Sequence, residues 1–366
     1  MEFYDNVVNE LLKYNIEPLV TILHSDLPAQ VALEYKGFAN KKVIDLYCKY
    51  SRTIIEHFKG RVKYWVPVNE INVGLMDAGR KMGVLKEDYD NYKQATYQAM
   101  HNQFVASALT AKIAHEVDPN NQVGIMITYV AAYPYTCKPG DALKSLKNAG
   151  AKNWYYYDVM LRGEYPYFAK KQWQDEGVEL DITEEETKIL KENTADFAAF
   201  SYYNSTVVAE DEDNMRTTSG NVFGAYSNQY LKKNQWGWTI DPEGLRYSLN
   251  QLYQMYRKPI FILENGSGFY EKLGDDKTIH DPYRCEFLRL HIEQMKKAIE
   301  DGVDVIGYTV WGPIDIVASS TGQMDKRYGF IWVDQDNYGN GTHERIKKDS
   351  FEWYKKVIAS NGEDLD

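Results

Sequence analysis

Apolar and polar positions fall into a repeating block pattern along this chain. A short apolar run breaks off in polar residues, a loop follows, and then comes a longer segment with helical spacing. Six such runs are legible: "IEPLVTILH" (16–24), "VKYWVPVNE" (62–70), "QVGIMITY" (122–129), "DFAAFSYY" (196–203), "PIFILEN" (259–265) and "DVIGYTVWG" (304–312). Between them, "KKVIDLYCKYSRTIIEHF", the 91–117 segment, "TEEETKILKEN" and "YRCEFLRLHIEQMKKAIEDG" read as helices. Such alternation predicts a parallel sheet covered by helices. The run Ile260 to Leu263 is too short for a helix and reads as a strand buried on both faces. Glu264 stands at its tip, and Asn265, Gly266 and Gly268 turn the chain into a loop.

An open doubly wound sheet and a closed eightfold barrel both fit that pattern. The polar run ends decide between them, because a barrel gathers functional residues from the C-terminal tips of several strands. Here the tips carry His24, Asn69 with Glu70, Tyr203, Glu264 and Trp311. No Gly-rich phosphate fingerprint follows any run, which disfavours a dinucleotide fold. The expected fold is therefore α/β, a (β/α)8 TIM barrel forming one domain over residues 1–366. A barrel needs eight strands, and only six runs are present. The chain opens directly in the helical stretch "EFYDNVVNELLKYN", so the expectation is an N-terminally truncated barrel without its first strand, first helix and second strand.

Composition narrows the partners. Over 366 residues the net charge is −11, which argues against nucleic acid and anionic membranes. No stretch approaches the ~18 apolar residues of a membrane span, and no basic stretch with an apolar signal core opens the chain. Cys48, Cys137 and Cys285 are scattered without a CxxC pair, as suits a reducing compartment. A cytoplasmic protein with no metal and no cofactor is expected. The 30 tyrosines and 8 tryptophans suit aromatic-lined clefts of the kind that bind sugars.

On a barrel, Glu70 and Glu264 would sit on opposite sides of one pocket. Two carboxyl groups flanking a glycosidic bond can cleave it, one protonating the leaving oxygen and the other acting at the anomeric carbon. A separation of about 5–5.5 Å means retention, and about 6.5–9.5 Å means inversion. "YWVPVNEIN" and "FILENG" resemble the two catalytic signatures of family 1 of the glycoside hydrolases. "IEPLVTILHSDLP", "WGWTIDPEGLR" and "DGVDVIGYTVWG" resemble further blocks of that family in the same order.

The resemblance implies a retaining mechanism with Glu264 as nucleophile and Glu70 as acid/base. It implies that Asn69 holds the sugar 2-hydroxyl, Tyr203 hydrogen-bonds the nucleophile, His24 contacts a glycone hydroxyl, Trp311 lies under the ring and Trp238 lines the leaving-group side. Family members acting on plain sugars carry Glu-Trp in the loop after the last strand, where this chain has Ala318, Ser319 and Ser320. Lys326 and Tyr328 follow. This resembles the Ser, Lys and Tyr phosphate clamp of the 6-phospho-β-glucosidases, with the serine at either Ser319 or Ser320. A carboxylate there would repel a 6-phosphate. "NEIN" and Ser201 in "FSYY" also resemble that branch, whereas Ser25 stands where the family usually has an aromatic residue. The implied substrate is a phosphorylated β-glucoside such as cellobiose 6-phosphate, hydrolysed in carbohydrate catabolism; the gluco or galacto preference, the aglycone and the oligomeric state stay open.

Plainer readings stand beside these. Either glutamate alone is a solvated loop carboxylate, His24 a core histidine, the tryptophans and Tyr203 packing residues, and Lys326 a surface lysine beside Arg327. At the level of function, the rivals are a plain β-glucosidase and a catalytically impaired remnant that at most binds phosphosugar. The family glutamine of the first strand and arginine of the second have no counterpart here, and loss of that arginine would weaken the nucleophile.

Overall fold

A computed structural model describes residues 1–211, 226–319 and 321–366. All six predicted runs are strands: Leu19–Leu23, Tyr64–Val68, Gln122–Thr128, Phe197–Tyr202, Ile260–Asn265 and Val305–Tyr308. The described residues divide into two compact units, one of residues 1–128 and 150–200, the other of 129–149 and 201–366.

In the first unit the strands lie in the order Leu19–Leu23, Tyr64–Val68, Gln122–Thr128, followed by the part of Phe197–Tyr202 up to residue 200. The first three are parallel, with Leu19 opposite Tyr64, Leu23 opposite Val68 and Tyr64 opposite Gln122. Helices Lys42–His57 and Tyr92–Val117 pack against each other. The second of these is buried almost all round, so its polar side chains need internal partners. Asn102 donates to the Phe38 carbonyl at 2.7 Å, and Thr110 to the Ala106 carbonyl at 2.8 Å. Trp65, Phe38, Phe104, Tyr155 and Tyr157 fill the core. Gly124 is what admits Phe197, since a Cβ there would stand 2.3 Å from its ring.

In the second unit Ile260–Asn265 runs parallel to Val305–Tyr308. Burial alternates along the former: Ile260, Ile262 and Glu264 are buried, while Phe261 and Leu263 are only half-buried. The expectation of a strand buried on both faces is thus corrected. Gly307 gives the Phe261 ring room to lie against it, since a Cβ there would stand 2.5 Å from the ring. Two pairs escaped the periodicity because each strand is only three or four residues long. Ala131–Pro134 runs parallel to Ser205–Val208, and Ile331–Val333 antiparallel to Arg345–Lys347. Phe269, Phe287, Leu288, Ile292, Phe330 and Val357 form an apolar cluster beneath helices Pro282–Glu300 and Asp349–Ala359.

"TIDPEGLR" acquires a physical meaning here. Asp241 caps helix Pro242–Tyr256 by accepting the Gly244 N–H at 2.8 Å, with Pro242 in the first turn. Its second carboxylate oxygen accepts the Tyr133 hydroxyl at 2.9 Å, and its backbone carbonyl the Tyr202 hydroxyl at 2.8 Å. Asp241→Ala removes a buried cap and leaves the Tyr133 hydroxyl without this partner. Urea unfolding should show a loss of about 2 kcal/mol or more, with Asp241→Asn closer to wild type.

Candidate active site

The candidate residues fall into one cluster in each unit. In the first, the Leu19–Leu23 and Tyr64–Val68 ladder extends one step further, as the Asn69 N–H donates to the Leu23 carbonyl at 3.0 Å. The chain then turns sharply, with Glu70 at φ +43°. Left-handed backbone is costly for a glutamate and persists where the surroundings impose it. Asn72 is one such constraint. Its amide donates to the carbonyls of Thr128 at 2.8 Å and Lys152 at 3.1 Å, while its own carbonyl accepts the Thr128 N–H at 2.9 Å. The second asparagine of "NEIN" therefore pins the turn to the end of the neighbouring strand Gln122–Thr128.

Asn69 is buried, and its side-chain carbonyl has no hydrogen-bond partner among the described residues. Lys81 is buried too; its ammonium donates to the Asn69 backbone carbonyl at 3.2 Å and lies 3.9 Å from Glu70 Oε2. His24 stays exposed as a residue, with its backbone N–H donating to Asp26 at 2.8 Å. Partial burial of the ring, followed by the positive charge of Lys81, lowers its pKa. Ser25, at φ +63°, follows it.

In the second unit the Tyr203 hydroxyl donates to Glu264 Oε2 at 2.6 Å, joining two of the predicted site residues. Glu264 is buried at its strand tip. Asn265 fixes that tip: its amide donates to the Tyr202 carbonyl at 2.7 Å, and its carbonyl accepts the Tyr308 hydroxyl at 2.7 Å. The Trp311 N–H donates to the Asn265 carbonyl at 2.8 Å, which places Trp311 beside the loop after Glu264. The Tyr203 ring meets Trp238 and Tyr328 edge-on, at 6.0 and 6.2 Å between centroids.

Lys326 is 2% exposed, so the plain reading of a surface lysine is overturned. Its ammonium stands 3.9 Å above the Trp238 ring, with Trp236 at 5.4 Å and Tyr328 at 5.8 Å. No carboxylate forms an ion pair with it among the described residues. Burial lowers its pKa to about 8. Burial, and then the charge of Glu264, raises that of the Tyr328 hydroxyl. Gly268 makes the arrangement possible, because a Cβ there would meet Lys326 Cγ at 2.6 Å and Tyr328 Cε2 at 3.0 Å. Ser319 is exposed on the turn closed by the Gly322 N–H to Ala318 carbonyl bond, and it makes no hydrogen bond to Lys326 or Tyr328 among the described residues. Ser320 lies outside the described residues.

The supporting residues were not legible as such in the sequence. Asn234 accepts the N–H groups of Trp236 and Trp238, both at 2.9 Å, and donates to Ser267 Oγ at 2.9 Å. An asparagine shortly before "WGW" was the only signal. Arg284 is buried and donates to the Tyr328 carbonyl at 2.6 Å, to Asp281 at 2.8 Å and to Glu271. Lys348 pairs with Glu271 at 2.5 Å and Asp315 at 2.9 Å, and Arg327 pairs with Asp315 at 3.1 Å. Among the described residues no cluster of His, Cys, Asp and Glu can hold a metal, and no helix is long and apolar enough to cross a membrane.

Comparison with known proteins places this geometry in a family. The model for glycosyl hydrolase family 1 matches residues 1–363, and the chain belongs to that family. It is 46% identical to the aryl-phospho-β-D-glucosidase BglH of Bacillus subtilis (strain 168) over all of this chain and 78% of that protein. It is also 46% identical to the 6-phospho-β-glucosidase AscB of Escherichia coli (strain K12), over all of this chain and 76% of that protein. A solved family 1 β-glucosidase from Thermotoga maritima superposes with a TM-score of 0.84 at 29% identity, over 99% of this chain and 78% of that one. The α/β barrel class is thereby supported. The expectation of a truncated domain is not borne out by the family match, which runs through residues 1–363.

The depressed pKa of Lys326 has a consequence for stability. Between about pH 8 and the ordinary lysine value of 10.5 the unfolded chain binds a proton that the folded chain lacks, so wild-type stability rises with pH there. Lys326→Met, which removes the desolvated charge, should melt higher than wild type at pH 7 in differential scanning calorimetry. That advantage should shrink as pH is raised through the same window.

Proposed function

We propose that this chain is a retaining glycosidase that hydrolyses 6-phospho-β-D-glucosides, such as cellobiose 6-phosphate, to glucose 6-phosphate and an aglycone. The observation that carries the reading is Lys326, a buried ammonium boxed by Trp236, Trp238 and Tyr328 with no carboxylate ion pair among the described residues. A 6-phosphate carries about −1.5 to −2 charges at neutral pH and would supply the missing counter-charge. The names of the relatives, an aryl-phospho-β-D-glucosidase and a 6-phospho-β-glucosidase, support the same substrate class. In this reading the chain acts in the cytoplasm.

In this reading residues 1–366 act as one glycoside hydrolase domain. Glu264 attacks the anomeric carbon while the bond to the leaving oxygen breaks, and Glu70 gives that oxygen its proton. Glu70 then takes a proton from water, which displaces Glu264 and leaves a β-configured product. Tyr203 donates its hydrogen bond to the carboxylate, the form in which Glu264 attacks. The buried, unpartnered carbonyl of Asn69 suits an acceptor for the sugar 2-hydroxyl. His24 contacts the glycone, Trp311 underlies the ring, Trp238 lines the leaving-group side, and Ser319 or Ser320 adds a hydroxyl to the phosphate contact of Lys326 and Tyr328.

The test compares p-nitrophenyl β-glucoside 6-phosphate with its unphosphorylated parent. Glu264→Gln should lower turnover of the phosphorylated compound by about 10⁴-fold or more. Lys326→Ala should raise KM for that compound by roughly tenfold to a hundredfold and leave the parent unaffected. Equal effects of Lys326→Ala on both compounds contradict the phosphate assignment.

A further inference from the structure

A buried cation, Lys81, braces the turn that carries Glu70. Lys81 comes from the short helix Ala78–Met82, which is fixed at both ends. Asp77 caps its start, accepting the Arg80 N–H at 3.3 Å and pairing with the Arg80 side chain at 2.8 Å, while Gly83 closes it at φ +69°. The Gln103 side chain, from helix Tyr92–Val117, donates to the Lys81 carbonyl at 3.4 Å. From this base the ammonium reaches two points of the turn, the Asn69 carbonyl at 3.2 Å and Glu70 Oε2 at 3.9 Å. The Lys81 side chain is 4% exposed and that of Glu70 19%.

Burying an ammonium is costly unless it is paired and hydrogen-bonded, and the Asn69 carbonyl and the Glu70 carboxylate help to offset that cost for Lys81. The turn also needs the lysine. Glu70 sits in left-handed backbone that is costly for a non-glycine residue, and the bond to the preceding carbonyl opposes relaxation of that turn. The carboxylate is thereby held from two directions, through its backbone and through Oε2.

We propose that Lys81 is a positioning residue for the acid/base step: it aims the Glu70 carboxyl at the leaving oxygen by gripping both the turn and one carboxylate oxygen. The proposal rests on the reading of Glu70 as acid/base. Its signature is selective, because a misaimed acid slows departure of a leaving group that needs a proton and spares one that leaves unaided.

The experiment measures kcat/KM, which reports the first bond-breaking step, for two 6-phosphorylated β-glucosides. One carries a phenyl and the other a 2,4-dinitrophenyl leaving group. Glu70→Ala, Lys81→Met and Lys81→Arg are compared with wild type, with melting temperature as the check on folding. Lys81→Met should lower kcat/KM for the phenyl compound about tenfold or more and change the dinitrophenyl compound by less than roughly threefold, with Lys81→Arg recovering most of the loss. Lys81→Gln keeps a donor for the Asn69 carbonyl but removes the charge, and it should show the same separation should the methionine variant fold poorly. If Glu70→Ala separates the two substrates while Lys81→Met and Lys81→Gln lower both equally or neither, Lys81 has only a structural role and the proposal is overturned. If Glu70→Ala itself fails to separate them, the acid assignment falls, and the proposal with it.

Discussion

Six charges shielded from water hold the segment around Lys326 and Tyr328 in place. Arg284, Arg327 and Lys348 supply three cations, and Asp281, Glu271 and Asp315 supply three carboxylates, all nearly inaccessible. Breaking such a set by removing one member leaves an uncompensated buried charge, which is far more costly than losing a surface pair. The segment from Lys326 to Gly329 is tied into this set. Arg284 binds the Tyr328 carbonyl, Asp315 accepts the Gly329 N–H at 2.9 Å, and Arg327 exchanges two backbone hydrogen bonds with Phe269. Lys326 and Tyr328 are therefore presented from a rigid base rather than from a pliant loop.

That rigidity helps to hold Lys326 buried with no carboxylate ion pair among the described residues. Its neighbours are aromatic faces, which attract a cation more weakly than a carboxylate does and leave its charge available. In the proposed reading, the cost of burying this charge is offset when the substrate's phosphate binds, which would place binding energy at one end of the substrate. On the same reading an acidic residue here would work against the site, since a fixed carboxylate would neutralise the lysine and repel a phosphate.

Much of the fold was legible because each strand announces itself locally. An apolar run with a polar tip carries both its length and its boundary, and all six runs became strands. The catalytic candidates were legible for the same reason, lying at those tips. What escaped was set by partners distant in sequence. Asn72 reads as an ordinary turn residue until its bonds to Thr128 and Lys152 are seen, and Lys81 reads as a helix-surface lysine until its ammonium is found beside Asn69 and Glu70. Arg327 looked solvated because a basic pair in a loop usually is, whereas Asp315 lies twelve residues upstream. The half-buried face of Ile260–Asn265 escaped because an apolar run does not show what covers each of its faces. Ser319 was singled out by alignment with a motif, which does not fix where a side chain on a turn points.

The central claim is that one site both cleaves β-glucosides with retention and demands a 6-phosphate. It is tested most directly in a single tube containing equal amounts of p-nitrophenyl β-glucoside and its 6-phosphate, followed by proton NMR from the first minutes of reaction. The account predicts that only the phosphorylated compound is consumed, and that glucose 6-phosphate appears first as the β anomer before mutarotation. Consumption of both compounds at equal rates, or the α anomer appearing first, would contradict it.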